Sequence, residues 1–395
     1  MYINPKFRFQ KLSEQKWVAI NLNTSEPESE AFILKEEVIN RLSLSTFNLI
    51  DANTLNILIE KKILLPGEGP NYKFNFNSPI LRSASFEITG RCNFNCVHCY
   101  IKDNRALNDL NFYEAQTIID KIADGGCIFI QLTGGEVLLR KDFGSIYEYC
   151  RQKGLIVRIS TNGSLLNPQI VNSFKNDPPS RIAVSCYGGD KKSFESTTGV
   201  AGSYEAFLNG VALLKEAGIR IRMNIIVLKE NVGSMDAAVA FAKQNGFPFH
   251  CFSKISPTLG GSCAPKTHQI SFREMEKTFM HNKSKGDFCE NKGKSECNAG
   301  RKSFHIDASG RMFICKMYRN KGFDLLKGKL EAGKERLNDV LASIDTGRVQ
   351  CKKCDVKVFC QFCEVQIQQE NDLDSICNFV RLKARIFQGG ESNAN

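Results

Sequence analysis

No apolar run in the 395-residue chain approaches the roughly 20 residues that a membrane-crossing helix needs, which excludes a helical membrane span. The N-terminus, Met1-Tyr2-Ile3-Asn4-Pro5-Lys6, lacks the charged-then-apolar layout of a secretory signal, so the expected location is the cytoplasm. Cysteine is missing from residues 1–80, which places any thiolate chemistry beyond them. The charge balance leans one way, with 53 Lys and Arg against 42 Asp and Glu and a formal net charge of +11. An excess of this size is weak support for nucleic-acid binding, and neither nucleic acid nor membrane is expected as a partner.

What the chain has in quantity is cysteine: sixteen residues, clustered rather than spread. A long chain without a secretory signal does not read as a disulfide scaffold. The sharpest cluster is Arg91-Cys92-Asn93-Phe94-Asn95-Cys96-Val97-His98-Cys99-Tyr100, a C-x3-C-x2-C loop. A structural zinc site closes with four ligands, and a cubane has four irons to satisfy. Three cysteines in one loop leave one iron without a protein ligand, open to a small chelating molecule. A zinc knuckle completed from elsewhere is the alternative for the same residues.

Cys92, Cys96 and Cys99, with the His98 ring before the third, resemble the motif of the radical S-adenosylmethionine (SAM) enzymes. The resemblance implies a [4Fe–4S] cluster whose fourth iron is chelated by the amino and carboxylate groups of SAM. It also implies reductive cleavage of SAM to methionine and a 5′-deoxyadenosyl radical that abstracts hydrogen from substrate. Strands and helices alternate through residues 81–255, as parallel βα units do. Strands are expected at 85–89, 127–132, 156–163, 181–185 and 220–227, and helices at 111–123 and 206–217. The expected fold is α/β, a partial (β/α)6 radical SAM barrel. Gly134-Gly135-Glu136, at a strand end, resembles the family segment that holds the amino group of SAM. Ser160, Asn162 and Ser185 match positions near its ribose and carboxylate, and each would otherwise cap a turn or helix.

Residues 1–80 read as a winged-helix-like module. Strands are expected at 7–12 and 16–22, helices at 31–42 and 52–62, and Asp51 as the cap of the second. The layout resembles peptide-recognition modules that take a leader as an added strand; a cap packed on the barrel is the plainer reading. The second helix carries only Glu60, Lys61 and Lys62 as charges, which argues against DNA binding. Residues 256–285 read as a linker, with a helix starting near Ser271, and 383–395 as a tail.

Residues 286–382 carry Cys289, Cys297, Cys315, Cys351, Cys354, Cys360, Cys363 and Cys377. Their order resembles the SPASM extension, with x2 between Cys360 and Cys363 where the family has x3. The resemblance implies two auxiliary [4Fe–4S] clusters, three in all. The first would be held by Cys297, Cys315, Cys363 and Cys289, with Cys263 a rival for the last place. The second would be held by Cys351, Cys354, Cys360 and Cys377. A pair of zinc sites is the alternative. A β-hairpin is expected at 305–314, turning at Gly310 and delivering Cys315. Cys127, Cys150, Cys186 and Cys251 read as core residues.

SPASM enzymes mostly modify peptides. The expected function is a maturase that installs a carbon–carbon (cyclophane) or thioether crosslink in a ribosomally made precursor peptide with a leader, supplied by a low-potential donor such as flavodoxin or ferredoxin. One alternative is a formylglycine-forming sulfatase maturase. That family places an Asp base directly after the cysteine matching Cys315, where this chain has Lys316. Another is a non-catalytic, metal-binding peptide-recognition scaffold. Lys316, Tyr318 and Arg222 are candidate pocket liners, and no catalytic base is assigned.

Overall fold

The computed structural model describes residues 2–3, 7–13, 16–21, 31–43, 49–66, 82–104, 108–174, 177–281 and 298–344, and near the C-terminus 354–356, 374, 377–378, 380–381 and 384. Cys289, Cys297, Cys351, Cys360 and Cys363 lie outside the described residues.

The N-terminal region pairs β1 (Tyr2–Ile3) with β5 (Leu64–Leu65) and builds a meander from β2 (Phe7–Ser13), β3 (Lys16–Asn21) and β4 (Ala31–Lys35). The helix expected from Ala31 starts only at Glu36: Ala31–Lys35 pairs antiparallel with β3, Val18 opposite Ile33, so β-rich Phe-Ile-Leu joins a sheet instead. Helices α1 (Glu36–Ser43) and α2 (Ala52–Glu60) follow. Asp51 caps α2 as its sequence suggests, accepting from Thr54 N at 2.9 Å. Ile39, Leu42, Leu58, Ile63 and Leu64 form a small core separate from that of the barrel.

The barrel strands are β6 (Ser83–Thr89), β7 (Phe129–Gly134), β8 (Ile156–Thr161), β9 (Arg181–Cys186), β10 (Ile221–Ile226) and β11 (Phe249–Phe252), parallel and adjacent in chain order. Between them run α3 (Phe112–Asp124), α4 (Phe143–Gln152), α5 (Pro168–Ser173), α6 (Lys191–Thr198), α7 (Ser203–Glu216) and α8 (Met235–Gln244), with α9 (Phe272–His281) after β11. A sequential order with right-handed crossovers puts every helix on one face. On that face Val157, Ile159, Ile182, Val184, Met223 and Ile225 pack with Ile118, Ile146, Val211 and Val239. The opposite face encloses the chamber.

Beyond β6 the sheet continues. Strand β12 (Ser303–Ile306) pairs parallel to β6, and β13 (Arg311–Phe313) and β14 (Phe323–Asp324) extend it antiparallel before α10 (Leu330–Ser343). The expected hairpin is present, and Gly310 turns it at φ +82°. Residues 256–270 do more than link. Leu259 N donates to Tyr100 O at 2.8 Å and Lys229 N to His268 O at 3.0 Å, so this segment closes over the barrel mouth. Ala384, expected in a tail, is helical and buried. Among the described residues no helix is long and apolar enough to cross a membrane.

Candidate cluster and SAM site

The cysteine loop leaves the end of β6 and is tied down along its length. Asp109 accepts from Thr89 Oγ1 at 2.7 Å, Gly90 N at 2.9 Å and Arg91 Nε at 3.0 Å. Asn95 N and Val97 N donate to the carbonyls of Thr198 and Thr197 at the end of α6. Phe94 is buried edge-on to Tyr187 at 6.2 Å, and His98 lies 5.5 Å from the same ring. Burial, with the nearby charge of His268, lowers the imidazole of His98 to about 4, so the ring is neutral at pH 7.

Cys92, Cys96 and Cys99 form no disulfide, and all three act electrostatically on Tyr187. Burial and then these thiolates hold its phenol well above the usual range, against a hydrogen bond with Ser185. The three sulfurs therefore lie within electrostatic reach of one ring at the C-terminal mouth of the barrel. Among the described residues no three His, Cys, Asp or Glu side chains are close enough to share a single metal ion. One loop offers three thiolates, which match three irons of a cubane and leave the fourth open, so the donor set fits the cubane.

Gly134 and Gly135 have a backbone reason to be glycine. Gly135 N donates to Thr89 O at 3.0 Å and Glu136 N to Arg91 O at 2.8 Å, so the end of β7 crosses directly over the entry to the cysteine loop. A Cβ on Gly135 would sit 2.1 Å from Arg91 O, and one on Gly134, at φ +149°, 2.2 Å from Thr89 O. Gly135→Ala is expected to cost upwards of roughly 1–3 kcal/mol, the usual cost of overpacking. Denaturation of the apo protein, with iron content after reconstitution, measures this; wild-type values in both would refute the crossing as the reason.

The Glu136 carboxylate has no accessible surface. It accepts from Thr161 Oγ1 at 2.6 Å, Asn162 N at 2.6 Å and Leu138 N at 3.1 Å, fastening β7 to the end of β8. Burial raises its pKa, opposed by those three bonds. Asn162 Nδ2 in turn donates to Asn93 Oδ1 at 2.9 Å, and Asn93 Nδ2 to Ser164 Oγ at 2.9 Å. Glu136, Asn162 and the cysteine loop thus form one connected network. Ser160 accepts from Gln131 Nε2 at 2.7 Å, and Ser185 faces the same chamber one strand over.

The C-terminal cysteines are placed in part. Cys315 is half-buried, two residues after β13, and Cys354 and Cys377 are half-buried and form no disulfide. Cys263 is exposed. Cys127, Cys150, Cys186 and Cys251 are core thiols, as their sequence settings suggest; burial pushes Cys127 up to about 12 and Cys186 to about 11. Lys316 is exposed by surface area, and the protein packed around its ammonium lowers its pKa, against the charges of Cys315 and Glu87.

Sequence reasoning missed a buried latch. Arg319 holds Glu87 of β6 in a two-pronged pair, Nη1 to Oε2 at 2.9 Å and Nη2 to Oε1. The two side chains are 8% and 5% exposed. His305 Nε2 stands 3.5 Å from Glu87 Oε1 but outside hydrogen-bonding geometry. Burial would raise the carboxyl of Glu87, yet His305 and Arg319 outweigh it and hold it at about 2. Burial also lowers His305, so Arg319 supplies the lasting charge. Tyr100, next to Cys99, lies within electrostatic reach of Glu87, Arg319 and Cys315, and burial raises its phenol. The latch thereby sets where Cys315 stands relative to the first cysteine loop. Tyr187 was also missed, although an aromatic just past a strand end, two residues after Ser185, carries the same positional signal as Ser185 itself.

The sequence matches the Radical SAM superfamily over residues 86–242, the span that holds the loop and five barrel strands. This is a radical SAM domain. Over 185 residues it is 31% identical to Fe-coproporphyrin III synthase of Methanosarcina barkeri, covering 46% of each chain. It is 24% identical over 261 residues to a mycofactocin maturase of Mycobacterium ulcerans, covering 62% of this chain and 70% of that one. The chain spans about half the length of the first curated relatives it matches. SuiB of Streptococcus suis, solved bound to its precursor peptide SuiA, superposes with a TM-score of 0.67 over 94% of this chain and 97% of that one, at 15% identity. That likeness shows a shared fold over most of the chain.

Proposed function

We propose that the chain is a radical SAM/SPASM maturase acting on a ribosomally made precursor peptide. The observation that carries the reading is the placement of Cys92, Cys96 and Cys99 on one loop pinned at the open mouth of a partial barrel, within electrostatic reach of Tyr187. When bound, a [4Fe–4S] cluster with SAM on its open iron supplies reductive cleavage of the sulfonium C–S bond and hydrogen abstraction.

The residues of the chain then divide the work. Cys92, Cys96 and Cys99 hold the cluster. The backbone at Gly134-Gly135 presents carbonyls toward the amino group of SAM, while Glu136 acts through the Asn162 and loop network. Ser160, Asn162 and Ser185 face the ribose and carboxylate. Cys289, Cys297, Cys315 and Cys363 hold one auxiliary cluster; Cys351, Cys354, Cys360 and Cys377 hold the other. The N-terminal module takes the leader: exposed Leu49, Ile57 and Ile59 offer apolar contact around α2, beside a three-stranded sheet. A flavodoxin- or ferredoxin-like protein delivers the electron.

Co-expression with a precursor encoded beside the gene, followed by mass spectrometry, tests the reaction. The expected product lacks two hydrogens per cyclophane or thioether crosslink. An unmodified precursor, with SAM turned over, would remove the crosslinking claim and leave the radical chemistry standing.

Identity of 31–33% to a Fe-coproporphyrin III synthase and to an AdoMet-dependent heme synthase favours a second reading, a porphyrin substrate. Titration with iron coproporphyrin III, followed by its visible absorption, separates the two: a saturable shift supports the porphyrin and no shift supports the peptide.

A further inference from the structure

The chamber face of β8, β9 and β10 carries charge of one sign; the carboxylate on the same face of the sheet, Glu87 of β6, is taken up by Arg319. Side chains alternate along a strand, and paired residues in a parallel sheet share a face. Gln131, Arg158 and Arg181 are consecutive partners across β7, β8 and β9; Ala183, two residues past Arg181, pairs with Arg222 of β10. These positions alternate with Val157, Ile159, Ile182 and Met223, which pack under the helices, so the three arginines face the chamber. Neighbouring strands lie about 4.8 Å apart, and two residues along a strand span about 6.6 Å. The guanidiniums therefore share one patch of chamber wall.

Two features mark this patch as built for an anion. Among the described residues no carboxylate pairs with Arg181 or Arg222. Arg181 is half-buried, and burial followed by the charges of Arg158 and Arg222 lowers its pKa to about 10. Like charges held together in a partly dry site destabilise the empty protein unless an opposite charge arrives. Phe129 and Ile156, paired two residues before Gln131 and Arg158, form with Ile128 a separate apolar cluster, and Arg158 lies over the Phe129 ring at 4.5 Å. Arg222 is level with Ala183 and Ser160 by register, and Ser185, Asn224 and His250 stand one step above it, among the proposed SAM contacts. The arginines thus span the wall from the apolar cluster up to the reaction level.

We propose that Arg158, Arg181 and Arg222 form a carboxylate-binding wall of the chamber that takes an acidic side chain of the substrate. Planar guanidiniums suit a carboxylate, and three of them around one pocket favour an acidic residue close to the reacting position. The inference rests on the proposed function only in taking the chamber as the place of reaction.

Its test needs no reductant or turnover, so its failure and that of the radical reading are distinguishable. Tricarballylate is titrated into the reconstituted full-length protein by calorimetry, with and without saturating SAM. Propane-1,2,3-tricarboxamide is the neutral control. The expected result is saturable tricarballylate binding in the presence of SAM, no binding of the triamide, and at least tenfold weaker binding by the Arg181→Gln/Arg222→Gln double variant. Arg181→Lys, which keeps the charge, retains most of the affinity. Without ligand, Arg181→Gln melts above wild type, because it relieves the repulsion; tricarballylate raises the melting temperature of wild type more than that of the variant. Equal affinity of wild type and double variant would overturn the proposal. So would loss of tricarballylate binding once SAM is present, since the patch would then serve the carboxylate of SAM itself.

Discussion

Cys99→Ala, reconstituted anaerobically with iron and sulfide, releases no 5′-deoxyadenosine from SAM above the no-enzyme background, and its iron content falls by about four per chain. The loop offers three thiolates to four irons, and the open position for SAM exists only because the other three are satisfied. With two thiolates a second iron is bare, and neither the assembled cluster nor its single chelation site persists. The surrounding structure survives the change: Cys99 is half-buried, and Asp109, Thr197 and Thr198 still pin the loop. Far-UV circular dichroism of the variant therefore matches wild type. The signal that separates this from general damage is spectroscopic. The SAM-dependent change in the electron paramagnetic resonance spectrum of the reduced protein disappears, while signals from auxiliary clusters remain. Retained SAM cleavage, or stoichiometric zinc at the wild-type loop, would defeat the assignment.

Glu87→Gln destabilises the protein by about 3–5 kcal/mol, the usual cost of removing one partner of a buried ion pair. The amide is nearly the same size, so the loss is of charge rather than volume. Arg319 is left almost fully buried without a counter-ion, joining β6 to the segment after Cys315. Chemical denaturation measures the effect. Its pH dependence has a definite sign. The folded-state carboxyl is held at about 2, against the 4.5 of a glutamate in an unfolded chain. Its stabilising contribution is therefore complete above 4.5 and is lost as pH falls through 2. The gap between wild type and variant stays constant from pH 8 to about 5 and narrows only toward pH 2. A gap that closed near pH 6 would assign the charge to His305 instead. Replacing both partners, as Glu87→Met/Arg319→Met, should cost much less than Glu87→Gln alone, because a buried pair replaced by apolar volume is often neutral.

Much of this architecture follows from local patterns. The C-x3-C-x2-C spacing, the βα alternation, the Asp51 cap and the Gly310 hairpin each depend on residues within a few positions of one another. The exception at Ala31–Lys35 is instructive. Its five residues suit a helix start or a strand, and pairing with β3 decided between them. Gly134-Gly135-Glu136 stood out in the sequence for a ligand's sake. In the folded chain the glycines make room for Thr89 and Arg91, and the carboxylate is taken up by Thr161, Asn162 and Leu138.

The sequence alone determined the donor atoms: how many thiolates one loop offers, and that a strand ending in polar residues follows each helix. The tertiary structure decided which distant groups meet. Glu87 and Arg319, separated by 232 positions, close one ion pair, and arginines from three strands share one wall only because register and curvature bring them there. Spacing within a loop is set by covalent geometry, whereas encounters across a sheet are set by stagger and by which face the helices cover, and no short window of residues contains either.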